Sequence, residues 1–67
     1  MNPIALRAAY VAVQLVRYPQ GALIENEIYG YLENTLKMDP SSEEAFAIGD
    51  EALALAGIML GLGPDAL

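Results

Sequence analysis

The sequence predicts an all-α protein, a single domain (residues 1–67) that forms a three-helix bundle with helices at about 3–17, 23–38 and 42–61. Three observations predict this fold class. Apolar residues recur at helical spacing, proline and glycine separate three apolar segments, and helix-start signals precede the first and third segments. Because a chain of 67 residues forms only a small core, we expect dimerisation or partner binding to complete the bundle.

The first helix is predicted to begin at Asn2 and Pro3, an N-cap followed by proline at the position where its fixed φ is already helical. It should end by residue 17, since Pro19 disfavours the helical conformation of its predecessor. The polar residues Arg7, Gln14 and Arg17 form one narrow stripe on this helix, and Tyr10 lies within it. Apolar residues cover the rest of the helix surface. Three valines at 11, 13 and 16 leave a strand over residues 10–16 as the alternative.

The second helix has the clearest amphipathic pattern, which predicts one buried face. The apolar face holds Ile24, Ile28, Tyr31, Leu32, Thr35, Leu36 and Met38, and the opposite face holds Asn26, Glu27, Gly30, Glu33, Asn34 and Lys37. Gly30 should weaken this helix by about 1 kcal/mol relative to alanine.

The stretch DPSSEEAF, residues 39–46, predicts the start of the third helix. Asp39 and Pro40 end the preceding helix, and Ser41 with Glu44 predicts a capping box, so that the helix opens at residue 42 or 43. Acidic residues (Glu43, Glu44, Asp50, Glu51) lie on one side and Ala45, Phe46, Ile48, Gly49 and Ala52 on the other. Glycines at 61 and 63, ahead of Pro64, predict its end.

The segment IYGYLENTLKMDPSSEEAF, residues 28–46, resembles the junction between two tetratricopeptide repeats. Leu36, Met38, Asp39, Pro40 and Phe46 carry this resemblance. It covers about nineteen residues, and no 34-residue repeat runs through the chain, as such arrays require. The resemblance implies a helical hairpin between the second and third helices, and no more than that.

Composition excludes several classes of function. The chain has no cysteine and no histidine, so we expect no disulfide, no metal and no cofactor. Its net charge of −6 disfavours direct nucleic-acid binding and anionic membranes, and favours a neutral or basic protein surface as partner. A nucleic-acid mimic would need acids arrayed along one surface, whereas the nine acids here are scattered.

The segment ALALAGIMLGLG, residues 52–63, has no charged side chain. It is too short to span a membrane, which takes about 20 apolar residues. Two interpretations remain: the core helix of the bundle, or a core helix whose end extends into a subunit interface. Since both terminal helices are apolar on most sides, we predict a homodimer or hetero-complex. The predicted self-association residues are Gly57, Met59, Leu60 and Gly61, with Gly57 and Gly61 forming a G-x-x-x-G pattern.

No residue pattern predicts catalysis. Without histidine, the serines at 41 and 42 have no evident base and are better explained as helix caps. The carboxylate pairs at 43/44 and 50/51 lack metal-ligand spacing and suit a solvated helix face. We therefore expect no catalytic residue.

Tyrosine combines apolar area with low entropy loss and is enriched at interface hot spots. The predicted partner interface is Tyr10, Tyr18, Glu27, Tyr29 and Glu33.

These observations predict a small acidic, non-catalytic protein that covers a surface of a protein partner as an antagonist or adaptor. Compact acidic proteins of this kind include those that phages encode against host systems. The alternative is a structural subunit of a virion or other homo-oligomer. The apolar N-terminal run lacks the charge pattern of a secretory signal, which predicts a cytoplasmic location, or the host cytoplasm if a phage encodes the chain.

Overall fold

The chain folds as an all-α bundle of three helices in a computed structural model that describes residues 1–16 and 21–63. Helix α1 spans Pro3–Leu15, α2 spans Gly21–Gly30 and α3 spans Glu43–Met59; a π-helical segment, Tyr31–Thr35, continues α2 and is called the π segment below. The predicted fold class is confirmed, and the strand alternative over residues 10–16 is wrong, since α1 covers it to Leu15. None of the helices in the described ranges has the length and hydropathy of a membrane span.

Helix α1 begins as predicted. The Asn2 side chain accepts a hydrogen bond from the backbone N–H of Ile4 at 2.8 Å, and Pro3 occupies the first helical position. The helix ends at Leu15 rather than at residue 17, because Val16 adopts an extended conformation (φ −93°, ψ 114°). Residue 17 itself lies outside the described residues.

Helix α2 begins at Gly21 rather than at residue 23, and it changes its hydrogen-bond spacing after Gly30. The backbone N–H of Leu36 donates to the carbonyl of Tyr31, five residues back, at 3.3 Å. The helix then ends at Thr35 rather than at residue 38, because Lys37 takes a left-handed conformation with φ +57°.

Helix α3 begins at Glu43, within the predicted range. The predicted capping box of Ser41 and Glu44 is wrong: Ser42 is the N-cap, and its Oγ accepts from the backbone N–H of Ala45 at 3.1 Å. Ser41 instead donates from its N–H and Oγ to Asp39 Oδ1, at 2.9 and 2.8 Å. The helix therefore starts one residue too late for a box, and Ala45 stands where the glutamate would be needed.

The other end of α3 is a Schellman motif. The helix ends at Met59, and Gly61 has a left-handed φ of +74°. The N–H of Leu62 donates to the carbonyl of Gly57 at 2.9 Å, and the N–H of Gly61 donates to that of Ile58 at 3.0 Å. This closure places the end slightly before the predicted residue 61.

The core lies between two alanine-rich helix faces. The buried residues of α1 are Ala5, Ala8, Ala9 and Ala12, and the core residues of α3 are Ala45, Ile48, Ala52 and Ala56. The largest fully buried side chains, Ile24, Ile28 and Leu32, come from α2 and the π segment. These three fill the space between α1 and α3, and the small alanines let the helices approach closely.

Helices α1 and α3 run side by side in the same direction. At one end the N–H of Asn2 donates to Glu51 Oε1 at 2.9 Å, and further along Tyr10 and Met59 line the same groove. Helix α2 packs on both of them, so that the predicted hairpin between the second and third helices is present. Because alanine takes the buried positions of α1, three of its large side chains, Leu6, Tyr10 and Leu15, remain exposed.

Candidate protein-interaction surfaces

Among the exposed apolar side chains of the bundle, two groups lie at helix junctions, and these two surfaces differ in charge. The first, called the acidic aromatic patch, consists of Tyr29, Phe46, Glu25 and Asp50 at the junction of α2 and α3. The second, called the α1–α3 groove, is lined by Pro3, Leu6, Arg7, Tyr10 and Met59.

The acidic aromatic patch is built around an edge-to-face pair of rings. The ring centroids of Tyr29 and Phe46 are 6.4 Å apart, and the ring planes meet at 66°. Phe46 is 52% exposed, whereas Tyr29 is half-buried. An exposed aromatic ring packed against another ring is an apolar anchor that a partner side chain can contact.

Gly49 makes room for this arrangement. It is buried on α3, and a Cβ atom added there would overlap the hydroxyl and ring of Tyr29. The Tyr29 ring therefore lies over the backbone of α3, where any other residue would place its side chain.

Carboxylates surround the two rings. Burial raises the pKa of Tyr29, and the negative charges of Asp50 and Glu25 raise it further. Glu43 precedes Phe46 by one turn of α3, and Glu33 follows Tyr29 by about one turn in the π segment; both are exposed. The patch is thus an apolar centre inside an acidic rim.

The α1–α3 groove has the opposite electrostatic character. It has a volume of about 450 Å³, and Arg7 is the one charged residue in its lining. Helix α1 contains no acidic residue along its length. Tyr10 is 55% exposed and Leu6 is 41% exposed, so the groove offers apolar surface beside a cation.

A smaller groove of about 240 Å³ separates α1 from α2. Its lining is mixed: Val11, Leu15, Glu27, Gly30, Tyr31, Asn34 and Thr35. Gly30 has open space around it, since a Cβ atom added there would lie 4.0 Å from its nearest neighbour, Asn34 Nδ2. This groove is more polar than the α1–α3 groove.

The predicted partner-interface residues lie on different sides of the bundle. Tyr10 lines the α1–α3 groove, Glu27 lines the groove between α1 and α2, and Tyr29 belongs to the acidic aromatic patch. Glu33 is exposed in the π segment, on the turn after Tyr29. Tyr18 lies outside the described residues. The structure thus brings Tyr29 and Glu33 to neighbouring turns and leaves Tyr10 and Glu27 elsewhere.

The predicted self-association residues also lie in different environments. Gly57 is buried, and Leu60 is half-buried against the core. Gly61 is exposed and forms the left-handed end of the Schellman motif, which gives it a role within the chain. Met59 lines the α1–α3 groove, beside Tyr10 of the other predicted set.

Phe46 is an exposed aromatic residue, and its predicted place with Ala45 and Ile48 on the apolar side of α3 is wrong: those two are buried, whereas Phe46 is exposed. Two acids mark it in the sequence: Glu43 three residues before and Asp50 four residues after, both on the same side of a helix.

No protein-family model, curated protein or solved structure matches this chain. Within residues 1–16 and 21–63, no cluster of acidic side chains has the geometry to hold a metal ion.

Proposed function

We propose that this protein is a small non-catalytic interaction protein that covers a basic surface of a partner protein with its acidic aromatic patch. The observation that carries this proposal is the exposed Phe46 ring, packed edge-to-face on Tyr29, whose own ring lies close to the carboxylates of Glu25 on α2 and Asp50 on α3. Buried aromatic anchors surrounded by polar groups provide most of the binding energy in protein interfaces.

An arginine or lysine of the partner suits this patch best. Its apolar stem packs on the Phe46 ring and places the cation over an aromatic face, an interaction worth about 0.5–2 kcal/mol. The charged head then reaches Glu25 or Asp50 in a charge-assisted hydrogen bond. The net charge of −6 adds long-range attraction that speeds association with a basic partner.

Covering a surface in this way gives an antagonist when the surface is the partner's own functional site, and an adaptor when a second protein binds the remaining faces. Both roles use the same contact. We propose that this contact is made in the cytoplasm.

A site-specific crosslinking experiment tests the proposal. A photoreactive phenylalanine analogue is placed at position 46, and at position 58 as the matched control, since Ile58 is 55% exposed and Phe46 is 52% exposed on the same helix. We expect a crosslink to one partner protein from position 46 and no crosslink to that protein from position 58. Phe46→Ala should then weaken binding of the identified partner about 30-fold, which corresponds to about 2 kcal/mol.

Charge reversal supplies the second part of this test. Glu25→Lys and Asp50→Lys should each slow association, and the difference from the unchanged protein should shrink as salt is raised. Equal crosslinking from both positions, or binding that ignores Phe46→Ala, would contradict the proposal.

The assembly-subunit alternative has an observation of its own. Ile58, Met59 and Leu62 leave the end of α3 apolar and exposed, beside a groove that a further copy can enter. Such a subunit would form closed or open assemblies of many copies, and a charge placed at position 57 or 61 would dissolve them.

A further inference from the structure

The α1–α3 groove is apolar, carries a cation and lies on a helix without acids, in a chain of net charge −6. We propose that two copies of this chain dimerise through this groove, with their α1 helices packed antiparallel against each other. The acidic aromatic patch lies at another helix junction and stays free on both copies. The dimer is therefore independent of the proposed function and would give it two equivalent binding faces.

The distribution of acidic residues favours a second copy of the chain as the partner for this face. The acids of the described residues belong to α2, the π segment, α3 and the connection between them, and none belongs to α1. Two acidic molecules that meet through α2, the π segment or the start of α3 bring carboxylates together, which costs affinity. The lining of the α1–α3 groove contains no acid, and Glu51, at the Asn2 end of α1, already accepts a hydrogen bond from the N–H of Asn2.

The sequence of α1 suits an antiparallel pair with a two-fold axis between Tyr10 and Val11. Arg7 of one copy then lies opposite Gln14 of the other. Both side chains are exposed in the monomer. Since a helix rises 1.5 Å per residue, the two Arg7 side chains are about 10 Å apart, roughly one Debye length at moderate salt.

The required contact area explains why Met59 takes part. A stable interface of ordinary size buries about 800 Å² on each copy, roughly a fifth of the 4236 Å² of accessible surface. Helix α1 alone, with 13 residues, is about 20 Å long and too narrow for this area. The contact must extend over the groove to the edge of α3, where Met59 lies, and we expect a dissociation constant in the micromolar range.

Dimerisation would stabilise a bundle whose core is small. Its largest fully buried side chains are only Ile24, Ile28 and Leu32, and the chain has no cysteine for a disulfide. Small domains with such cores are commonly reinforced by association.

The test measures the mass of the full chain by sedimentation and light scattering from micromolar to submillimolar concentration. We expect a species of twice 7.2 kDa that dissociates on dilution. Tyr10→Glu places two carboxylates in the contact, each costing about tenfold, and should weaken the dimer about 100-fold. Arg7→Glu, which removes no apolar area, should weaken it about tenfold. The matched control is Phe46→Glu, an exposed aromatic outside the groove, which should leave the dimer intact.

Far-UV circular dichroism checks that each variant keeps its helices. A protein that stays monomeric at every concentration would overturn the inference, and so would a mass that keeps growing beyond two copies. A dimer that survives both Tyr10→Glu and Arg7→Glu would place the contact elsewhere and also overturn it. Loss of partner binding by Phe46→Glu in an intact dimer separates the proposed function from this inference.

Discussion

The Tyr29 ring lies over the backbone of Gly49, in the space that a side chain at position 49 would occupy. This relationship joins the second and third helices and fixes the orientation of Tyr29 against Phe46. A glycine inside a helix costs about 1 kcal/mol relative to alanine. At position 49 that cost is offset because the glycine admits the aromatic ring.

Gly49→Ala should therefore lower the free energy of unfolding by about 1 kcal/mol, despite the better helix propensity of alanine. The new methyl group overpacks the junction and displaces the Tyr29 ring. The ring then loses its contact with Phe46. Urea denaturation of the two proteins, followed by circular dichroism, measures the difference.

Gly30→Ala is the matched control for that prediction. Gly30 has helical dihedral angles (φ −59°, ψ −42°), and a Cβ atom there meets nothing nearer than 4.0 Å. Alanine should raise the free energy of unfolding by up to about 1 kcal/mol. The relationship between Tyr29 and Gly49 would be contradicted if both substitutions stabilised the protein equally.

Lys37→Gly should stabilise the protein by about 0.5–1 kcal/mol. Lys37 has a φ of +57°, a left-handed conformation that penalises residues with a Cβ atom and suits glycine. The gain is partial, because glycine also makes the unfolded chain more flexible. Thermal unfolding measures it, with Gly61→Ala as the reciprocal substitution.

Gly61 occupies the corresponding left-handed position after α3, with φ +74° and open space around it. Gly61→Ala should cost about 1 kcal/mol through backbone strain alone. If Gly61→Ala stabilised the protein, or Lys37→Gly destabilised it, the left-handed backbone conformations at these two positions would not be what ends the helices.

The helices could be predicted from the sequence because their signals are local. Asn2 with Pro3, the serines before Glu43, and the glycines after Met59 each act on the backbone within one turn. The π segment could not be predicted, since nothing in its composition distinguishes hydrogen bonds to the fifth residue from bonds to the fourth.

The exposed apolar surfaces were harder to predict, because α1 is apolar on most sides and helical spacing alone selects no buried face. Packing against Ile24, Ile28 and Leu32 decides this choice: the alanines fit these side chains, and Leu6 and Tyr10 are left outside. Phe46 was missed for a related reason. Its ring packs on Tyr29, which reaches α3 from another helix through the space at Gly49.

The stability contributed by the Tyr29 phenol should be lost at high pH. Burial, with the charges of Asp50 and Glu25, holds the pKa of Tyr29 above its usual value near 10, so folding favours the neutral phenol. This contribution is fully present below pH 10 and disappears as the pH rises through the pKa of the folded protein.

Tyr29→Phe removes this titration. Between pH 10 and the pKa of the folded state, the free energy of unfolding should fall less steeply in Tyr29→Phe than in the unchanged protein. The difference between their absorbance titrations at 295 nm gives the pKa of Tyr29 directly. A value at or below 10 would contradict the burial of its hydroxyl near Asp50 and Glu25.

Ser42→Ala should lower the free energy of unfolding by about 1 kcal/mol, because it removes the N-cap of α3 and leaves the N–H of Ala45 without its acceptor. Ser41→Ala should cost much less, since Ser41 bonds only to the exposed Asp39.

Ser41→Ala has a separate consequence for the carboxyl group of Asp39, whose pKa is lowered chiefly by the backbone N–H of Ser41 and then by its hydroxyl. Without the hydroxyl the pKa of Asp39 should rise toward its usual value, which an NMR titration of the carboxyl carbon detects. The stability due to this group is present above the usual pKa of aspartate and is lost as the pH falls through the lowered value. If Ser41→Ala were the more destabilising of the two substitutions, the cap would belong to Ser41 and α3 would begin one residue earlier.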